Sequence, residues 1–136
     1  MLPDWVNDYV GIPFVDGGRT REGCDCYGLV CLVFAEQFKV TLPRRDYWPL
    51  VSDVSYLDRS IEEVRTVFWR PVEGQAWPGC VAEFRVPGKD RTLFHCGLMV
   101  SPTHMLHVFR GCETVLEEVY GLVWTNRLMG IYRYAG

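Results

Sequence analysis

Asp25-Cys26-Tyr27-Gly28-Leu29-Val30-Cys31-Leu32-Val33-Phe34-Ala35-Glu36-Gln37-Phe38 is the stretch on which the reading of this chain turns. From Leu29 to Ala35 and again at Phe38 the residues are apolar, so a helix over 26–38 is apolar nearly all round. Such a helix belongs in the middle of a domain, packed on several sides. Asp25 stands directly before it and is a good N-cap, able to accept N–H bonds from the first turn. Cys26 then takes the first helical position. The N-terminus of a helix carries roughly +0.5 charge, which favours thiolate over thiol. Its unpaired N–H groups can also bind the oxyanion of an acyl-transfer intermediate. Gly28 leaves the surface near the sulfur open. These are the needs of a nucleophilic cysteine, whereas Cys31, Cys80 and Cys96 read as plain core thiols.

A cysteine nucleophile needs a base, and the chain holds three histidines: His95, His104 and His107. In the expected strand over 93–100, Phe94, Cys96, Leu98 and Val100 form one face, and His95, Gly97 and Met99 point the other way. Ser101-Pro102-Thr103 reads as the turn of a hairpin to a strand over 105–109. With Val100 opposite His104, His95 faces Phe109 and His107 faces Gly97. The two histidines then share a face as diagonal neighbours, roughly 7–8 Å apart at Cα, close enough for one imidazole to hydrogen-bond the other. A one-residue slip would separate them. His95 is the candidate acid/base, His107 the residue that orients it, and both are expected on an exposed sheet face. His104 falls on the opposite face or in the turn, as a surface residue.

The remaining elements follow from local signals. Residues 4–10 read as a short helix between Pro3 and Gly11, and 11–18 as a loop. Residues 42–55 look irregular, and 56–69 have the spacing of an amphipathic helix through Leu57, Ile61, Val64, Val67 and Phe68. Short strands are expected over 81–86, 93–100, 105–109, 113–119 and 128–134, with 87–90 as a turn. Helices first and an antiparallel sheet after give an α+β domain, one unit over 1–136. With 136 residues, 49% of them hydrophobic and 14% aromatic, the chain can build a real core and is not disordered. A net charge of −3 with scattered Lys and Arg gives no basic stripe for nucleic acid. No run of about 18 apolar residues suggests membrane insertion, and the start lacks the pattern of a signal peptide, so synthesis in the cytoplasm is expected.

Six cysteines in such a chain are expected to be mostly reduced. Cys24 and Cys26 with His95, Cys96 and His107 could be read as zinc ligands. However, structural zinc usually shows Cys-x₂₋₄-Cys spacing, and His95 and Cys96 point to opposite strand faces. No metal or other cofactor is expected.

Several blocks together resemble the NlpC family of papain-like cell-wall peptidases. They are Tyr9-Val-Gly-Ile-Pro-Phe-Val-Asp-Gly-Gly, Asp25-Cys26-Tyr27-Gly28-Leu29-Val30, Pro78-Gly79-Cys80-Val81-Ala82-Glu83-Phe84, His95-Cys96-Gly97-Leu98-Met99-Val100 and Met105-Leu106-His107-Val108. The resemblance spans roughly residues 5–135. It implies a papain-like fold, with a Cys-carrying helix packed on an antiparallel sheet and a Cys26–His95–His107 triad. Asp25, Tyr27, Gly28 and Phe14 would line the substrate. It also implies cleavage of peptidoglycan stem peptides, usually between γ-linked D-glutamate and a diamino acid such as meso-diaminopimelate.

Gly17-Gly18-Arg19-Thr20-Arg21-Glu22-Gly23-Cys24, before the nucleophile, resembles the phage-tail and gene-transfer-agent branch. That implies tail or baseplate proteins as partners and action at the cell wall from a tail. Two positions depart from the family. Phe14 stands where a Tyr is usual, whose hydroxyl is thought to help the oxyanion site, and Cys80 stands where Asp is usual. Two alternatives stay open: a tail-assembly or plug component with the fold but little activity, and an amidase or acyltransferase of the same superfamily.

Overall fold

The sequence up to Cys26 folds around the start of the helix, with Asp25 N donating to Gly18 O and Cys24 N to Pro13 O. In the computed structural model, which describes residues 1–42, 69–87 and 92–136, a 3₁₀ turn at Val6–Asp8 replaces the short helix expected over 4–10. A two-residue ribbon, β1 (Arg19–Thr20) and β2 (Gly23–Cys24), leads into α1 (Cys26–Val33). Asp25 is extended, at φ −86° and ψ −178°, and caps the helix. Its Oδ1 accepts from Gly28 N at 2.6 Å and its Oδ2 from Gly17 N at 2.9 Å. The helix is shorter than the apolar run. After Val33 it widens into a π turn, Phe34–Phe38, and ends at Lys39 in the left-handed region, φ 57°. Ala35 is exposed, so the burial expected all round holds only for the first turns, where Leu29, Val30 and Val33 are fully buried. Each of those side chains contributes about 1.5–3 kcal/mol by leaving water. The far end is tied down by polar contacts. Glu36 takes hydrogen bonds from Tyr9 Oη at 2.7 Å and from Arg21 Nη2 at 2.7 Å.

Beyond the helix come β3 (Trp69–Pro71), β4 (Val81–Pro87), β5 (Thr92–Met99), β6 (His104–His107), β7 (Val115–Glu118) and β8 (Leu128–Tyr134). They form one sheet in the order β3-β8-β4-β5-β6-β7, with every pair antiparallel. The α+β class and the α1-on-sheet arrangement are as the sequence predicts. Residues 43–68 and 88–91 lie outside the described residues, and with them the irregular stretch over 43–55, the helix expected from 56 and most of the turn over 87–90. Trp69, the last residue of that expected helix, opens β3 instead.

The β5–β6 register matches the one read from the turn. Leu98 pairs with Leu106 and Met99 with Met105, and Val100 N donates to His104 O at 2.9 Å. The expected open face is not there. Against one face of the sheet packs α1, with Cys96, Leu98, Val100, Leu106 and Val108. Against the other packs a second cluster, in which Phe84, Val86, Met99, Met105 and Val119 meet Trp124 from the segment between β7 and β8. Both sheet faces are therefore covered around the histidines. His95 and His107 are each 3% exposed.

Candidate active site

Cys26 begins α1 and is buried at 7% exposure. On β5 the side chains of His95 and Cys96 both hydrogen-bond to its sulfur. Pairing of β5 with β6 covers only Leu98 and Met99, so the β5 backbone beside His95 is free of β6 where the helix tip meets it. His95 Nε2 lies 2.9 Å from His107 Nδ1, and His107 Nε2 lies 2.7 Å from Glu117 Oε1 on β7. A continuous line of contacts therefore runs from the sulfur through two imidazoles to a carboxylate. Gly97 makes room for it. A Cβ there would stand 2.5 Å from Met105 Sδ and 3.2 Å from His107 Cβ.

Aromatic rings hold His95 in place. Trp124 stacks on His95, with centroids 5.1 Å apart and planes 28° from parallel, and meets His107 edge-on at 5.0 Å. Phe109 and Phe84 flank His95 at 5.1 and 5.9 Å, and Arg127 covers the Trp124 ring. Trp124 is 7% exposed and shields the imidazole pair from water, which strengthens their mutual hydrogen bond. Its Nε1–H is buried without a protein acceptor among the described residues.

The surroundings split the cysteines. The thiol of Cys26 is held well below its ordinary pKa, first by the hydrogen bond from the Cys96 thiol. The hydrogen bond and charge of His95 act in the same direction, against burial. Cys96 is pushed up, by that same contact with Cys26 and by burial. Burial pushes Cys24 up to about 12, Cys31 up to about 11, and Cys80 up as well. All six cysteines are free thiols, and only Cys112 is exposed. Since the thiolate is the reactive form, iodoacetamide near pH 6 followed by peptide mapping should label Cys26 first. Earlier labelling of Cys24, Cys31 or Cys80 would contradict the assignment.

Of the residues read as lining the substrate, three serve the scaffold. Asp25 is 1% exposed, and both its oxygens are occupied by Gly28 and Gly17 N–H groups. Tyr27 is 2% exposed. Its hydroxyl is turned to Cys31, its ring lies 5.5 Å from the Arg19 guanidinium, and burial raises its pKa. Gly28 is a glycine because a Cβ would collide with the Gly18 carbonyl, not because the surface there must stay open. Phe14 is half-buried against the α1 cluster, with the Arg110 guanidinium 5.1 Å over its ring. His104 is partly exposed and hydrogen-bonds Thr103 Oγ1 at 2.8 Å. Among the described residues no three His, Cys, Asp or Glu side chains converge as a metal site needs.

Asp25 gives a pH signature. Its carboxyl is pushed up to about 7, by burial first and by the Cys26 thiolate second. In an unfolded chain it titrates near 4. The native state thus binds the extra proton, and this contribution to stability is full below about pH 4 and lost as pH rises through about 7. Asp25→Asn cannot titrate. Its stability relative to wild type, from urea unfolding, should improve between about pH 5 and about pH 8. A constant difference would remove the shift.

The chain matches the NlpC/P60 family over residues 11–133. A Haemophilus influenzae protein named "Probable endopeptidase" is 41% identical over 134 residues, 98% of this chain and 73% of that protein. "Gamma-DL-glutamyl hydrolase" of Bacillus subtilis is 27% identical over 127 residues. That match covers 93% of this chain but only 27% of the Bacillus protein. Among solved structures, a Staphylococcus aureus protein described as similar to lipoprotein, NLP/P60 family, superposes with a TM-score of 0.66 at 18% identity, over 95% of this chain and 38% of that one. By the span of the family match and the identity to the Haemophilus protein, this chain belongs to the NlpC/P60 family.

Proposed function

We propose that the protein is a cysteine endopeptidase that hydrolyses peptidoglycan stem peptides at the bond between γ-D-glutamate and a diamino acid. The observation that carries the reading is the buried line Cys26–His95–His107, standing in a chain of the NlpC/P60 family. In the reaction, the Cys26 S–H bond breaks and the proton moves to His95. The thiolate then attacks the amide carbonyl carbon. N–H groups at the start of α1 are suited to receive the oxyanion. His95 returns its proton to the departing amine, leaving a thioester on Cys26, and water activated by His95 hydrolyses it. A γ-glutamyl linkage is supported by the name of the Bacillus relative, and the endopeptidase class by that of the Haemophilus one.

A tripeptide with γ-linked D-glutamate before meso-diaminopimelate, set against the same peptide with the α-linkage, tests the bond. Hydrolysis of the γ-linked peptide alone is expected. Equal rates would remove the linkage specificity. We further propose that the enzyme works from a phage or gene-transfer-agent tail, which the Gly17–Cys24 block supports by its resemblance to that branch. Mass spectrometry of purified particles should then find the chain in the tail. Particles without it would remove this setting.

A further inference from the structure

Glu117 stands at the end of the contact line and has no part in the triad implied by the sequence. It sits on the edge strand β7 with its side chain 39% exposed, while the imidazole it meets is 4% exposed. Resting on the peptidase reading above, we propose that Glu117 is a positioning residue that fixes the tautomers of both histidines, so that the bare nitrogen offered to Cys26 is Nδ1 of His95.

The assignment follows from counting donors. A carboxylate is an acceptor only, so the His107 nitrogen 2.7 Å from Glu117 must carry a hydrogen. That nitrogen is Nε2. His107 is driven to its neutral form, with a pKa pushed down to about 4, by burial first and, whenever His95 is protonated, by the charge of that ring second, against the pull of Glu117. A neutral imidazole has one N–H, so Nδ1 of His107 is a bare acceptor. His95 Nε2, 2.9 Å away, must then be the donor. To take a proton from the thiol His95 must be neutral, with its one hydrogen on Nε2, and the bare nitrogen left to meet the Cys26 sulfur is then Nδ1. When the thiol proton arrives at Nδ1, the imidazolium that forms is held by His107 and, through it, by the Glu117 charge.

Among the described residues, the other ionisable groups around the line do not compete for this role. Asp25, Cys96 and Glu83 stand on the side of Cys26 and Cys96, and Arg127 is outside the Trp124 ring. Without Glu117 nothing obliges Nε2 of His107 to carry the hydrogen, and the opposite arrangement opens: Nδ1–H of His107 donating to His95, and His95 presenting to the sulfur an N–H, which cannot take the proton. The geometry would survive and the chemistry would not.

Glu117→Gln tests this, because it keeps shape and removes the obligatory acceptor. Long-range ¹H–¹⁵N spectra of histidine-labelled protein distinguish the two neutral tautomers directly. In a Cys26→Ala background, recorded at a pH where neither ring is protonated twice, both His95 and His107 should carry the hydrogen on Nε2. Glu117→Gln should shift His107 toward the Nδ1–H form. With Cys26 present, the same substitution should lower kcat about 10–100-fold with KM nearly unchanged, the range seen when the partner orienting a histidine is removed. The unfolding temperature should stay close to wild type, as for an exposed edge position. A hydrogen on His107 Nδ1 with Glu117 intact, or unchanged tautomers in Glu117→Gln, would overturn the proposal. Absence of turnover by the wild type would instead count against the peptidase reading, and the tautomers would still decide the role of Glu117.

Discussion

Cys26→Ala is expected to lose on the order of 10⁶-fold in kcat, the loss found where a nucleophile and its base act as one unit. The same logic predicts strong non-additivity. Cys26→Ala combined with His95→Gln should be no slower than Cys26→Ala alone, because the base has nothing left to activate. The single variant should stay folded. Its site is at the end of the helix, and the cap hydrogen bonds come from Asp25, not from the sulfur. Initial rates on a γ-D-glutamyl-diaminopimelate peptide for the two singles and the double check this. Two losses that simply multiply would mean that Cys26 and His95 act separately.

The second large effect belongs to His95. His95→Gln should cost at least 10²–10⁴-fold in rate, the usual value of general acid/base help. It should cost more than His107→Gln, since an orienting group is often partly replaceable. The burial of the site makes the choice of substitution matter. His95→Ala would leave His107 Nδ1 buried without its partner, a penalty of about 1–3 kcal/mol, and open a space between Phe84, Phe109 and Trp124. The alanine variant should therefore melt at a lower temperature as well as losing activity. Thermal unfolding beside kcat for both variants separates the two effects. A His95→Gln variant with wild-type kcat would remove His95 from the mechanism.

What could be read in the sequence was the geometry that local spacing determines. The cap at Asp25, the helix start at Cys26 and the short Ser101–Thr103 turn are decided within a few residues. The turn in turn sets the β5–β6 register, and with it the meeting of His95 and His107. What escaped depends on how distant segments return. Glu117 reaches His107 because β7 pairs with β6 in the register His107–Val115 and Met105–Glu117. The connection between those strands is too long to fix that register from turn chemistry. Alternation along a strand over 113–119 places Glu117 on a face with Glu113, Val115 and Val119, a signal that does not single out Glu117. Trp124 lies outside every strand, and no periodic signal announces that it covers the histidines. This is why a sheet face expected to be open is closed. Gly28 was read as open surface because a collision with the Gly18 backbone, ten residues earlier, leaves no trace in spacing.

The most direct measurement is digestion of purified peptidoglycan fragments by wild type and by Cys26→Ala, with product masses read by mass spectrometry. The wild type should release fragments that locate a single cleaved bond after γ-D-glutamate, each cleavage adding one water across the two products. Cys26→Ala at the same concentration should release none. Cleavage of equal extent by the two proteins, or fragments intact after prolonged incubation with folded wild type, would contradict the assignment of Cys26 as the nucleophile of a peptidoglycan endopeptidase.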